Sequence, residues 1–84
     1  MLRVLFFGRL REELGCGEIE VIADDSCRDL DALQAQLCAA NGERWTRALG
    51  AANTIRALNQ VMVSGNAPLA DGDEVAFFPP VTGG

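Results

Sequence analysis

The stretch Glu74-Val75-Ala76-Phe77-Phe78-Pro79-Pro80-Val81-Thr82-Gly83-Gly84 governs how the rest of the chain is read. Glu74 to Phe78 is a hydrophobic strand signal of the buried kind, and two consecutive prolines follow it. Proline has no backbone N–H and fixes φ, so a sheet ladder stops at Phe78. The same prolines hold Phe78 and Pro79 extended, which sends the following residues away from the sheet as a stiff spacer. Gly83 and Gly84 carry no side chains and let another protein's backbone approach closely from either side. Glycine ends are common, and the Pro-Pro spacer on a buried-type strand gives this one its weight. The expectation is a domain over residues 1–78 and an extended tail over 79–84, fit to enter a narrow channel and present the Gly84 carboxylate.

Working outward, 84 residues make one small domain, and 49% hydrophobic content argues against disorder. Seven basic residues against twelve acidic ones give a net charge of -5. That balance argues against a nucleic-acid partner, whose phosphates need a basic face, and favours partners with basic surfaces. Histidine is absent and every basic side chain is arginine. The commonest general base and metal ligand is therefore missing, and the chain cannot join a tail to a lysine of its own. Cys16, Cys27 and Cys38 form no C-x-x-C pair and read as small hydrophobes of a reduced, cytoplasmic protein. If Cys27 and Cys38 share one helix they stand about 16 Å apart along it, beyond disulfide reach. The apolar run Val4 to Phe7 is too short for a signal-peptide core, and no segment approaches a membrane span. No membrane association is expected.

Leu2 to Phe7 has apolar residues for both faces of a strand, which predicts a central position covered on both sides. Leu10 to Leu14 predicts a short helix ending at Gly15. Glu18 to Ile22 alternates as a half-buried strand does. Asp24-Asp25-Ser26 reads as a helix start, with Ser26 and Asp29 at capping-box spacing. Leu30, Leu33 and Leu37 form one apolar stripe on a helix that ends at Asn41-Gly42. Capping accounts for Asp24, Asp25, Asp29 and Asp31 better than a metal site, since the Gly and closing Glu of a calcium loop are missing. Glu43 to Gly50 predicts a second short helix whose Trp45 seals one end of the core. Ile55–Leu58 and Val61–Val63 are short strands around Asn59-Gln60, and Asp71-Gly72 turns into the last strand. The fold class is α+β, with one mixed sheet of four to five strands and the long helix across it.

Val4-Leu5-Phe6-Phe7-Gly8, Arg11-Glu12, Leu58-Asn59-Gln60 and above all the run from Leu69 to Gly84 resemble the small, sulfur-carrier subunits of molybdopterin synthase. The likeness spans the chain, its ending is highly specific, and residues 27 to 57 match only in outline. The resemblance implies a ubiquitin-like β-grasp fold and a cycle of chemistry at Gly84. A ubiquitin-activating-like adenylyltransferase would turn the carboxylate into an acyl-adenylate with ATP, and a sulfur donor would make it a thiocarboxylate. The tail would then enter the large subunit of a heterotetramer and give sulfur to cyclic pyranopterin monophosphate. The chain itself would bind no cofactor or metal, and the catalytic side chains would lie on the partner.

The resemblance also implies a docking surface. Strand alternation sends Val4, Phe6, Val61, Val63 and Phe77 to one side and Phe7, Met62 and Phe78 to the other. The latter three, with Pro79, Pro80, Val81 and Thr82, are the expected partner-binding residues, unless the short helices cover them. Gly83 and Gly84 are the expected chemical site. The rival readings are a thiamine-type sulfur carrier and a ubiquitin-like modifier or binding module.

Overall fold

The computed structural model describes residues 1–51 and 53–80. In β1 (Leu2–Phe6), Leu2, Val4 and Phe6 are fully buried while Arg3 is exposed, the period of two that a pleated strand imposes. Helix α1 (Arg9–Leu14) buries Leu10 and Leu14 and leads into β2 (Glu18–Val21). A single 3₁₀ turn, Asp25–Cys27, precedes α2 (Leu30–Asn41), whose stripe of Leu30, Leu33 and Leu37 faces the core. Gly42, at φ 86°, turns the chain directly into α3 (Glu43–Leu49). Strands β3 (Ile55–Leu58), β4 (Val61–Val63) and β5 (Glu74–Phe78) complete the fold.

The sheet runs β2-β1-β5-β3-β4, with β1 and β5 parallel and every other neighbouring pair antiparallel. This is the expected mixed sheet, and the short runs around Asn59-Gln60 are its hairpin. Asn59 and Gln60 take φ of 50° and 70°, as a tight two-residue turn requires. Asn59 also ties that turn to β5, donating to Asp73 at 3.1 Å and accepting from the Glu74 N–H at 2.9 Å. The core lies between the sheet and the helices. There Phe6 stacks on Phe77 with centroids 5.9 Å apart and meets the edge of Trp45 at 5.3 Å, so the tryptophan closes the core as expected.

Two expectations need correction. The long helix does not start at Ser26. Asp24 caps the 3₁₀ turn, accepting from the Ser26 N–H, and Asp29 caps α2, accepting from the Ala32 N–H at 2.7 Å. The break has a long-range cause. Asp29 is drawn into an extended bridge with Pro68, flanked by hydrogen bonds from Leu30 N–H to the Ala67 carbonyl and from Leu69 N–H to the Arg28 carbonyl. Cys27 and Cys38 consequently do not share a helix. All three cysteines are free, with Cys27 buried and the other two half-buried.

Second, β1 is not covered on both sides. The buried residues of α1, α2 and α3 join the one core cluster with Leu2, Val4 and Phe6, while Leu5 is half-buried and Phe7 exposed on the other face. Val61 shares the helix side with its partner Leu58, as the alternation predicts, and is 66% exposed on the sheet's edge strand.

Candidate functional site

Period-two alternation that points Phe6 and Phe77 into the core points Phe7 and Phe78 out of the opposite face. The parallel register pairs Phe6 with Phe77, and the Phe7 N–H donates to the Phe77 carbonyl at 3.1 Å. The two outward rings therefore lie side by side, stacked with centroids 4.9 Å apart and planes 10° from parallel. Two strands away, Met62 rises from β4 and is 61% exposed. The structure thus brings Phe7, Met62 and Phe78 to one face, and the short helices lie on the other side.

Between these walls the face is floored by Ala57 and Ala76, both buried among their neighbours although no helix covers them. Small floor and large walls make a shallow cleft of about 450 Å³, which Leu5 also lines. Sequence reasoning did not single out Leu5, Ala57 or Ala76. The signal was present, since counting back two from Phe7 and Phe78 gives Leu5 and Ala76.

One end of the cleft is polar. Arg3 donates from two guanidinium nitrogens to Glu18, each at 3.1 Å, and approaches Glu74 at 3.4 Å. The hydrogen bond and charge of Glu18 raise the Arg3 pKa further above its ordinary value. Glu20, opposite Arg3 in the register, adds a third carboxylate to this rim. An apolar cleft bordered by acid suits an apolar partner surface bordered by arginine or lysine.

At the other end the chain leaves the sheet. Gly8, at φ 60°, lies so close to Pro79 that a Cβ there would stand 3.1 Å from the proline Cγ. Pro79 and Pro80 are half-buried, and the tail is rooted beside the stacked phenylalanines. Val81, Thr82, Gly83 and Gly84 lie outside the described residues. Among the described residues, no group of three or more Cys, Asp or Glu is placed to hold a metal ion, and no helix is long and apolar enough to cross a membrane.

Comparison with known proteins carries the site further. Residues 4–84 match the ThiS family. The chain is 49% identical to the molybdopterin synthase sulfur carrier subunit of Escherichia coli strain K12, with 100% of each chain covered. It is 39% identical to the protein of the same name from Haemophilus influenzae, again with 100% of each covered. Its fold is similar to a chain in the protein–protein complex of subunits 1 and 2 of molybdopterin-converting factor from Helicobacter pylori 26695. That chain is 33% identical, with a TM-score of 0.66 and coverage of 99% of this chain and 97% of that one. The β-grasp arrangement expected from the sequence is therefore the fold observed, and the chain belongs to the ThiS family, in the group of molybdopterin synthase sulfur carrier subunits.

Proposed function

We propose that this chain carries sulfur on its C-terminal Gly84 for the assembly of molybdopterin, docking through its open face on the large subunit of the synthase. The observation that supports this most is the full-length 49% identity with a named sulfur carrier subunit. The uncovered cleft beside the tail's root supplies a surface for the docking.

The chemistry follows from the tail. A carboxylate is a poor electrophile until one oxygen becomes part of a leaving group. Attack of the Gly84 carboxylate on the α-phosphorus of ATP, in a ubiquitin-activating-like adenylyltransferase, releases pyrophosphate and forms the acyl-adenylate. Hydrosulfide or an equivalent donor then attacks the acyl carbon, AMP departs, and a thiocarboxylate remains. Thiocarboxylate sulfur is nucleophilic at neutral pH, so the carrier needs no base of its own, in keeping with a chain that has no histidine. In the large subunit's active site that sulfur passes to cyclic pyranopterin monophosphate. The chain binds no cofactor in this scheme, ATP serves the activating partner, and the compartment is the cytoplasm.

Phe7, Met62 and Phe78 supply the apolar contact, Pro79 to Thr82 line the tail's path, and Gly83 and Gly84 reach the chemistry. The test is the intact mass after incubation with the adenylyltransferase, ATP and sulfide. A gain of about 16 Da that disappears when Gly84 is deleted marks oxygen replaced by sulfur. Isopeptide-linked products in place of that gain mark a modifier and overturn the reading.

A further inference from the structure

The two edges of the sheet are treated differently. Along β2, Glu18 and Glu20 stand on the edge, and charges there discourage another strand from pairing. Along β4 nothing does so. From Gln60 to Gly65 there is no charged residue and no proline, and Val61 and Met62 are both more than half exposed. The Asn59-Gln60 turn closes on the Leu58–Val61 pair. In the alternation of an antiparallel hairpin with a two-residue turn, Val61 and Val63 direct their backbone groups to β3, and Met62 directs its N–H and carbonyl outward.

Two clefts meet at this edge. One is the open-face cleft already described. The other, of about 440 Å³, runs between Ile55 and Arg56 on β3 and Val63 and Ser64 at the end of β4. Met62 borders both. A partner that fills the first cleft and continues into the second passes Met62, whose backbone groups face outward.

We propose that β4 is an augmentation edge, on which an extended segment of the large subunit pairs its backbone with Met62 and adds a sixth strand to the sheet. The inference rests on the docking reading above and adds which backbone the partner uses. The edge is uncharged and apolar, so the added segment carries apolar side chains at alternate positions. A second copy of this chain, pairing β4 with β4, is the competing occupant.

Amide hydrogen exchange of the full chain, free and bound to the large subunit, tests this directly. The Met62 amide is expected to exchange at least about tenfold more slowly in the complex. Proline at an outward-facing edge position leaves the ladder to β3 intact, so Met62→Pro and Met62→Ala isolate the backbone bond. Met62→Pro is expected to bind about fivefold more weakly than Met62→Ala, the worth of one hydrogen bond. If Met62→Pro does not fold, exchange in the unaltered chain decides alone. A complex in which the Met62 amide exchanges as fast as in the free chain overturns the added strand and leaves docking through the face standing. A free chain that dimerises with this amide already protected gives the edge to a second copy and also overturns it. No complex at all removes the docking reading itself and the added strand with it.

Discussion

On the helix side of the sheet, Phe6 and Phe77 are wholly buried against each other and Trp45. On the other side their immediate chain neighbours, Phe7 and Phe78, stack on each other at the mouth of an uncovered cleft, with Phe7 39% exposed. The residue types and spacing are the same, and only the presence of helices above one face separates them. Burial on folding is what makes an apolar side chain stabilise the domain. Apolar surface left bare on folding is available to stabilise a complex instead. In a chain of 84 residues that is a substantial share of apolar material withheld from the core.

Substitution of matched phenylalanines is the strongest way to break this contrast. Phe6→Ala should cost about 3–5 kcal/mol, since the ring is fully enclosed and its cavity cannot collapse against a sheet. That is a large part of the roughly 5–10 kcal/mol that holds a domain of this size together. Urea titration should find the variant largely unfolded, or with its midpoint greatly lowered. A loss under about 1 kcal/mol would mean the two faces are energetically alike.

Phe78→Arg and Phe7→Arg are the converse. Each should leave stability within about 1.5 kcal/mol of the parent, because Phe7 is exposed and Phe78 half-exposed, and neither belongs to the enclosed core. Each should weaken binding to the large subunit by at least about 30-fold, near 2 kcal/mol, since the guanidinium must be desolvated in an apolar cleft. A pull-down titration with unchanged affinity would show that the bare face is not the docking surface. Deleting Gly84 should leave both stability and docking unaltered and abolish sulfur transfer in a reconstituted synthase, and retained transfer would defeat the proposed chemistry.

Much of this contrast was legible in the sequence. The strand ending at Phe78 and the alternation through Phe6-Phe7 and Phe77-Phe78 are local signals, as is the leucine stripe of α2. Local pattern does not say what lies above a face, so the apolar residues on both sides of β1 read as a doubly covered strand. Val61 shows the same limit, because alternation sets its side of the sheet and not its exposure. Ala57 and Ala76 were passed over because an alanine matters here only as the floor between larger neighbours. The break before α2 depends on Pro68, some forty residues from Asp29, and a capping box read within one short window cannot register it.

That misplaced cap gives a smaller effect. Asp29→Ala should cost about 1 kcal/mol, the usual worth of an N-cap, because it releases the Ala32 N–H at the head of the helix that roofs the core. Ser26→Ala should cost less, since Ser26 only donates to Asp24 within the 3₁₀ turn. Thermal midpoints of the two variants should differ by several degrees, with Asp29→Ala the lower. The reverse order would restore the helix start to Ser26.

The smallest expected effect comes from acid. The core face holds no buried polar or charged residue among those described, so lowering the pH protonates nothing inside it. Two exposed carboxylates differ from their ordinary values. Hydrogen bonds from Ser26 hold the Asp24 carboxyl below the usual range, and the N-terminal ammonium holds Asp71 below it. Both are therefore more acidic in the folded chain than in the unfolded one. As pH falls the unfolded chain takes up these protons first, so their contribution is present above the ordinary carboxylate value of about 4 and is lost below it. Urea midpoints should be nearly level between about pH 7 and 5 and decline gently towards pH 3. Asp24→Asn and Asp71→Asn should each flatten that decline while leaving the bare face's affinity at neutral pH unaltered. A steep collapse near pH 4 in the doubly substituted chain would point instead to a carboxylate bound up with the core, against the division of an apolar interior from a charged exterior on which the contrast of the two faces depends.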